Sequence, residues 1–173
     1  MNITAAVLGS MGAESPYAES KPLVIEKLEL GAPGPGEVLA RIKAAGLCHS
    51  DLSVINGTRP RPSPMALGHE AAGIVEEVGP VEGEAGGSDL RPGDHVVFVF
   101  VPSCGHCEPC TEGRPALCEP GAAANTAGTL LSGVHRLHRS DGTPGHHHLG
   151  VSAFADYATV SRRSLVKISP ELP

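Results

Sequence analysis

The sequence predicts a mainly β fold, an open or barrel-like sheet of short strands with few helices. Seven short apolar or alternating segments are separated by turn residues. Gly 22 and Pro 16 among 173 residues punctuate the chain too often for a helical bundle. Helix signals are weak along the whole chain.

The expected strands, in order, cover residues 5–8, 23–30, 37–48, 73–78, 96–101, 154–160 and 165–168. In the third, Val38, Ala40, Ile42 and Ala44 alternate with Arg41 and Lys43, the period-two signature of a half-buried strand. The fifth is a continuous apolar run and is expected to be buried on both faces. One short helix is expected after Cys48, started by His49-Ser50-Asp51 and stopped by Asn56-Gly57. The punctuators are Gly31-Ala32-Pro33-Gly34-Pro35-Gly36, residues 81–87, and a long loop over 120–150.

Composition excludes several functions. At 40% apolar and 18% charged residues, the chain can bury a core. Its 13 basic and 19 acidic side chains give a net charge of −6, without a Lys/Arg-rich block, which argues against nucleic-acid and anionic-membrane partners. Aromatics at 3% make base stacking a poor reading. No apolar run approaches the ~18 residues of a membrane span. No Lys or Arg precedes Lys21, so the basic start of a signal peptide is missing. A soluble, cytoplasmic protein is expected. Neither G-x-G-x-x-G nor G-x-x-x-x-G-K-[ST] occurs, so nothing here is expected to hold a dinucleotide or triphosphate by itself.

Four of five cysteines form the strongest motif, Cys104-x₂-Cys107-x₂-Cys110-x₇-Cys118. Gly and Pro between them permit tight turns, and four thiolates can close a tetrahedron around Zn²⁺ with no open position, which makes a structural site. An iron–sulfur cluster and a disulfide pair are the rivals; the ferredoxin spacing ends in x₃ rather than x₇, which favours zinc. His106, inside this knot, reads as a solvated turn residue.

Cys48-His49-Ser50-Asp51 and Gly68-His69-Glu70 form a second constellation. Both lie at expected strand ends, so Cys48 and His69 could face one cleft. A thiolate and an imidazole supply two ligands of a catalytic zinc, which needs a third and an open position. Taken singly, a strand-end Cys is more often a small buried hydrophobe, and a lone His a satisfied turn residue.

Gly46-Leu47-Cys48-His49-Ser50-Asp51, Gly68-His69-Glu70-Ala71-Ala72-Gly73, Gly93-Asp94-His95-Val96-Val97 and the four-cysteine lobe resemble, in order and spacing, the zinc-dependent alcohol dehydrogenases of the medium-chain dehydrogenase/reductase family. The resemblance covers nearly all of residues 1–173 and implies the amino-terminal, GroES-like catalytic domain, a partly open β-barrel with a structural zinc lobe at about 101–120. It also implies that the Rossmann nucleotide-binding domain is absent from this chain. The closing Ser164-Leu165-Val166-Lys167-Ile168 and Pro170-Glu171-Leu172-Pro173 are similar to the segment just before it.

Carried over residue by residue, the resemblance makes Cys48 and His69 catalytic zinc ligands and Glu70 a carboxylate that can approach the metal. Asp51 would accept the other N–H of His69, and Ser50 would take the alcohol proton. His49 would lie near the cofactor pyrophosphate. The place of a relay histidine in many relatives is Ser53 here. A third ligand is expected beyond Pro173. The implied activity is oxidation of a small-molecule alcohol to aldehyde or ketone, with zinc and NAD(P) as cofactors and a homo-oligomeric full-length form. The isolated chain is expected to be inactive. The alternative is a truncated, non-catalytic GroES-like module keeping only structural zinc. Remaining histidines take bland readings: His95 packing or surface, His146-His147-His148 solvated, His135 and His138 without a partner. The 120–150 loop is similar to one that shapes the substrate cleft in some relatives.

Overall fold

Alternating strands build two five-stranded sheets in a computed structural model that describes residues 1–80, 89–100 and 102–172. The expected 81–87 linker, Val101 at the end of the expected fifth strand, and Pro173 lie outside the described residues.

Strands β1 (Asn2–Leu8), β2 (Leu23–Leu30), β4 (Met65–Ala66), β7 (Leu137–His138) and β8 (Pro144–His147) close into a small barrel in the order β1-β2-β7-β8-β4. Strands β3 (Glu37–Gly46), β5 (Glu70–Val78), β6 (His95–Phe98), β9 (Tyr157–Ser161) and β10 (Leu165–Lys167) form an open sheet ordered β10-β6-β5-β3-β9. The mainly β, partly open barrel is therefore as expected, with closure confined to one strand set. Helices are short: α1 (Tyr17–Ser20), α2 (His49–Ile55), α3 (Glu108–Thr111) and α4 (Glu119–Ala127).

β3 joins the two cores. Val38 and Ala40 pack into the open-sheet core, whereas Leu39 points into the barrel core with Ile3, Val7 and Leu30. Its first half is thus buried on both faces, and only its second half is partly exposed. β6 departs from expectation in the other direction. Val96 and Phe98 are buried, but Val99 and Phe100 are 40% and 45% exposed, because pairing with β5 and β10 engages only residues 95–98.

The expected helix is α2. Seven residues are too few to hold a helix alone. Val54 and Ile55 anchor it by packing on Leu8, Met65 and Leu67 at one end of the barrel. Burying a side chain of this size contributes about 1.5–3 kcal/mol.

Residues 120–150 are not one loop. α4 escapes the helical pattern because EPGAAANTA has no apolar stripe, yet Pro at its start and a Cys118 Sγ that accepts Gly121 N–H favour its first turn. β7 and β8 then fill the barrel wall, and Glu37 ties the segment in. Its carboxylate, 3% exposed, accepts Ser132 Oγ at 2.6 Å, Arg136 Nε at 2.8 Å and Gly34 N at 2.8 Å.

Candidate metal centres

The four lobe cysteines converge. Their sulfurs lie within 4.8 Å of one another, and Cys107 Sγ is 3.9 Å from Cys118 Sγ. All five cysteines are free thiols. Zn–S bonds of ~2.3 Å would set tetrahedral sulfurs about 3.8 Å apart, so this quartet fits a closed S₄ site. Backbone N–H groups point at the sulfurs: Cys107 to Cys104 at 3.3 Å, His106 to Cys104 at 3.5 Å, and Cys104 and Gly121 to Cys118 at 3.2 and 3.3 Å. Such donors favour thiolate. The His106 N–H, the strongest influence, brings Cys104 down to about 6, while burial pushes Cys110 up to about 11. A cation would draw all four to the ionised form. His106 itself is exposed, with Nδ1 3.1 Å from the Cys104 carbonyl.

The second constellation is assembled by the starts of α2 and β5. Cys48 caps α2; its Sγ accepts Ser50 N–H at 3.5 Å, and the Asp51 carboxylate returns to Cys48 N at 3.3 Å. His69 precedes β5, and Glu70 opens it. Cys48, His69 and Glu70 place ligand atoms within 4.8 Å of one another, with Cys48 half-buried, His69 buried and Glu70 exposed. The Ser50 N–H lowers the Cys48 thiol below its usual range.

Asp51 is the hub. It is 4% exposed, and its Oδ1 accepts Gly68 N–H at 3.0 Å and faces His69 Nδ1 at 3.3 Å. Burial would raise its carboxyl, but the His69 and Gly68 hydrogen bonds outweigh that and hold it low. The Asp51 hydrogen bond raises His69, opposed by burial. A proton on Nδ1 leaves Nε2 free for a metal. His49 is exposed, its Nδ1 3.4 Å from Ser53 Oγ.

The structure overturns the solvated reading of the triple histidine. His147 and His148 are 1% and 0% exposed because β8 is a strand of the barrel wall and His148 follows directly on its end. His147 Nε2 accepts Arg136 N–H at 3.1 Å, and burial pushes its ring down to about 3. His148 Nε2 lies 3.3 Å from Asp51 Oδ1, and burial pushes this ring down to about 4. Asp51, His69 and His148 thus form a third donor cluster that sequence reasoning missed, since nothing local separates His148 from its neighbours. His135 does have a partner, an edge-to-face ring contact with His146 at 4.9 Å. His95 is half-buried at the start of β6, as expected.

A partly closed barrel bearing a four-thiol lobe and, separately, a Cys–His–carboxylate cluster defines a β domain with two candidate metal centres. Residues 34–170 match the family model described as the alcohol dehydrogenase GroES-like domain, and the chain belongs to that family. It is 43% identical over 173 residues to the NDMA-dependent alcohol dehydrogenase of Amycolatopsis methanolica, covering 100% of this chain and 43% of that protein. Among solved structures, it is similar to an alcohol dehydrogenase zinc-binding domain protein from Burkholderia ambifaria, with a TM-score of 0.85 and 39% identity, over 100% of this chain and 43% of that one. Benzyl alcohol dehydrogenase from Acinetobacter calcoaceticus aligns with a TM-score of 0.82 and 34% identity, over 100% and 42%. The chain therefore spans about two fifths of the length of the relatives it matches. No helix among the described residues is long and apolar enough to cross a membrane.

Proposed function

We propose that this chain is the metal-bearing catalytic portion of a zinc-dependent alcohol dehydrogenase, which oxidises a small-molecule alcohol and passes hydride to NAD(P). The observation that carries this reading is the convergence of Cys48, His69 and Glu70 on one partly open site, with Asp51 behind His69. Four sulfurs leave the lobe no room for substrate, so its zinc would be structural. Cys48 and His69 leave coordination positions free, and Glu70 is the carboxylate within reach. Zinc held there would supply Lewis-acid stabilisation of an alcohol oxygen.

The chain's own residues do the rest. The Ser50 N–H stabilises the Cys48 thiolate, and Asp51 fixes the tautomer and orientation of His69. The Ser50 hydroxyl, in the first turn of α2, receives the substrate proton. Ser53 stands four residues from His49 on α2, so onward transfer runs through water or His49 rather than a histidine at 53. His49, exposed, is also the residue read as facing the cofactor pyrophosphate. The acidic composition and free thiols agree with a reducing, cytoplasmic setting, and homo-oligomerisation of a full-length form belongs to the same proposal.

Metal analysis of the purified chain should find about one tightly held zinc, plus a weaker fraction that Cys48→Ala removes. In a full-length form, Cys48→Ala should cut turnover about a thousandfold, roughly 4 kcal/mol of transition-state stabilisation. Turnover near the unmutated rate would refute the assignment and favour the non-catalytic module.

A further inference from the structure

We infer that His148 is a positioning residue of the Cys48/His69 metal centre: by donating Nε2–H to Asp51 Oδ1, it fixes the carboxylate that orients His69. This rests on the reading of Cys48 and His69 as metal ligands.

His148 is wholly buried, and neither ring nitrogen has an in-line hydrogen-bond partner. An unpaired buried polar group of this kind costs about 1–3 kcal/mol, so a purely packing role would be better met by an apolar ring. The backbone beneath the ring is fixed. His148 N donates to Ser152 Oγ at 2.9 Å, and that hydroxyl donates to the Ala66 carbonyl at 2.8 Å. The His148 carbonyl accepts Val151 N and Ser152 N at 3.0 and 3.2 Å. So held, Nε2 stands 3.3 Å from Asp51 Oδ1, within reach of the carboxylate though off the line of a hydrogen bond.

Asp51 Oδ1 accepts from Gly68 and faces His69, and His148 Nε2 stands as a third neighbour at 3.3 Å, placed to complete the set. With the third in place, the carboxylate cannot turn away when His69 is drawn toward a metal. The rings add a second constraint. His69 packs edge-to-face against both Phe100 and His148, each centroid 5.3 Å away and the planes crossing at 78° and 77°, contacts that a turned His69 ring would lose.

The test uses the 173-residue chain. With the lobe filled by one equivalent of zinc, Co²⁺ is titrated in while the Cys48 thiolate-to-cobalt absorption is followed. His148→Phe keeps a ring and removes the donor, and should weaken cobalt binding at least about tenfold, the usual effect of losing a partner that orients a ligand. His148→Gln, whose amide nitrogen can stand where Nε2 does, should restore most of the loss. Lobe zinc content and melting temperature should change little in either. If Phe is not accommodated, His148→Leu makes the same comparison with His148→Gln. Unchanged affinity and spectrum in His148→Phe would overturn the inference alone. So would a cobalt signal that survives Cys48→Ala but vanishes in His148→Phe, because it would put the ion on Asp51, His69 and His148. A chain with no Cys48-dependent band at all would overturn the metal reading, and the inference with it.

Discussion

Gly68→Ala tests whether the backbone beside His69 is as tightly determined as the geometry requires. Gly68 has φ +89°, and a Cβ built on it would lie 2.5 Å from the Phe154 backbone nitrogen and 2.5 Å from Phe154 Cδ1. The nitrogen cannot yield, because it donates to the Leu67 carbonyl at 2.9 Å while Ala153 N donates to the Gly68 carbonyl at 2.9 Å. Gly142, at φ +82° with nothing within 4 Å of an added Cβ, is the matched control. Both substitutions carry roughly 1–2 kcal/mol of left-handed strain, offset by about 0.4–1 kcal/mol of lost unfolded-chain freedom. Only Gly68→Ala adds overpacking, at about 1–3 kcal/mol. In a chain of this size each kcal/mol moves the melting temperature by about 2–4 °C, so Gly68→Ala should melt about 2–12 °C below Gly142→Ala. Circular dichroism melts with zinc in excess measure the difference. Gly68→Ala should also weaken metal binding at Cys48 and His69, since its relief displaces the next residue. Equal melting of the two variants would refute the reasoning, showing that the segment around Phe154 moves aside freely.

Two further outcomes are expected. Cys107→Ser should release the lobe zinc and lower the melting temperature by an amount worth several kcal/mol, because metal binding there is coupled to local folding, while Cys48-dependent metal binding persists; metal analysis and melts check both. Acid should destabilise the metal-free chain through His147, whose Nε2 accepts the Arg136 N–H and whose folded value is held near 3, against ~6.5 unfolded. The unfolded chain then binds the extra proton, so this contribution is whole above about 6.5 and is lost as pH falls toward 3. His147→Gln, which keeps an acceptor but does not titrate, should flatten the pH dependence of melting across that window; an unchanged slope would rule His147 out as its source.

What the sequence determined by itself was local. Alternation placed β3 over residues from 37 onward, and the His49-Ser50-Asp51 start and Asn56-Gly57 stop bracketed α2. The spacing of Cys104, Cys107, Cys110 and Cys118 brought four sulfurs together, since ligands a few residues apart need only turns to meet. The family resemblance, rather than spacing, linked Cys48 to His69 and Asp51 to His69 across the fold, and the structure has both pairs in contact range. Tertiary structure alone decided the rest. β4, β7 and β8, of two to four residues, are too short to carry a period, and exist because neighbouring strands supply their hydrogen bonds. Leu39 is buried because β3 lies between two cores, and Val99 is exposed because its pairing partners end. His148 shows the difference most sharply. In the chain it is the third of three like residues beside glycine; in the fold it faces Asp51, 97 positions earlier, because burial and hydrogen-bond satisfaction are settled by neighbours that only the closed barrel brings near.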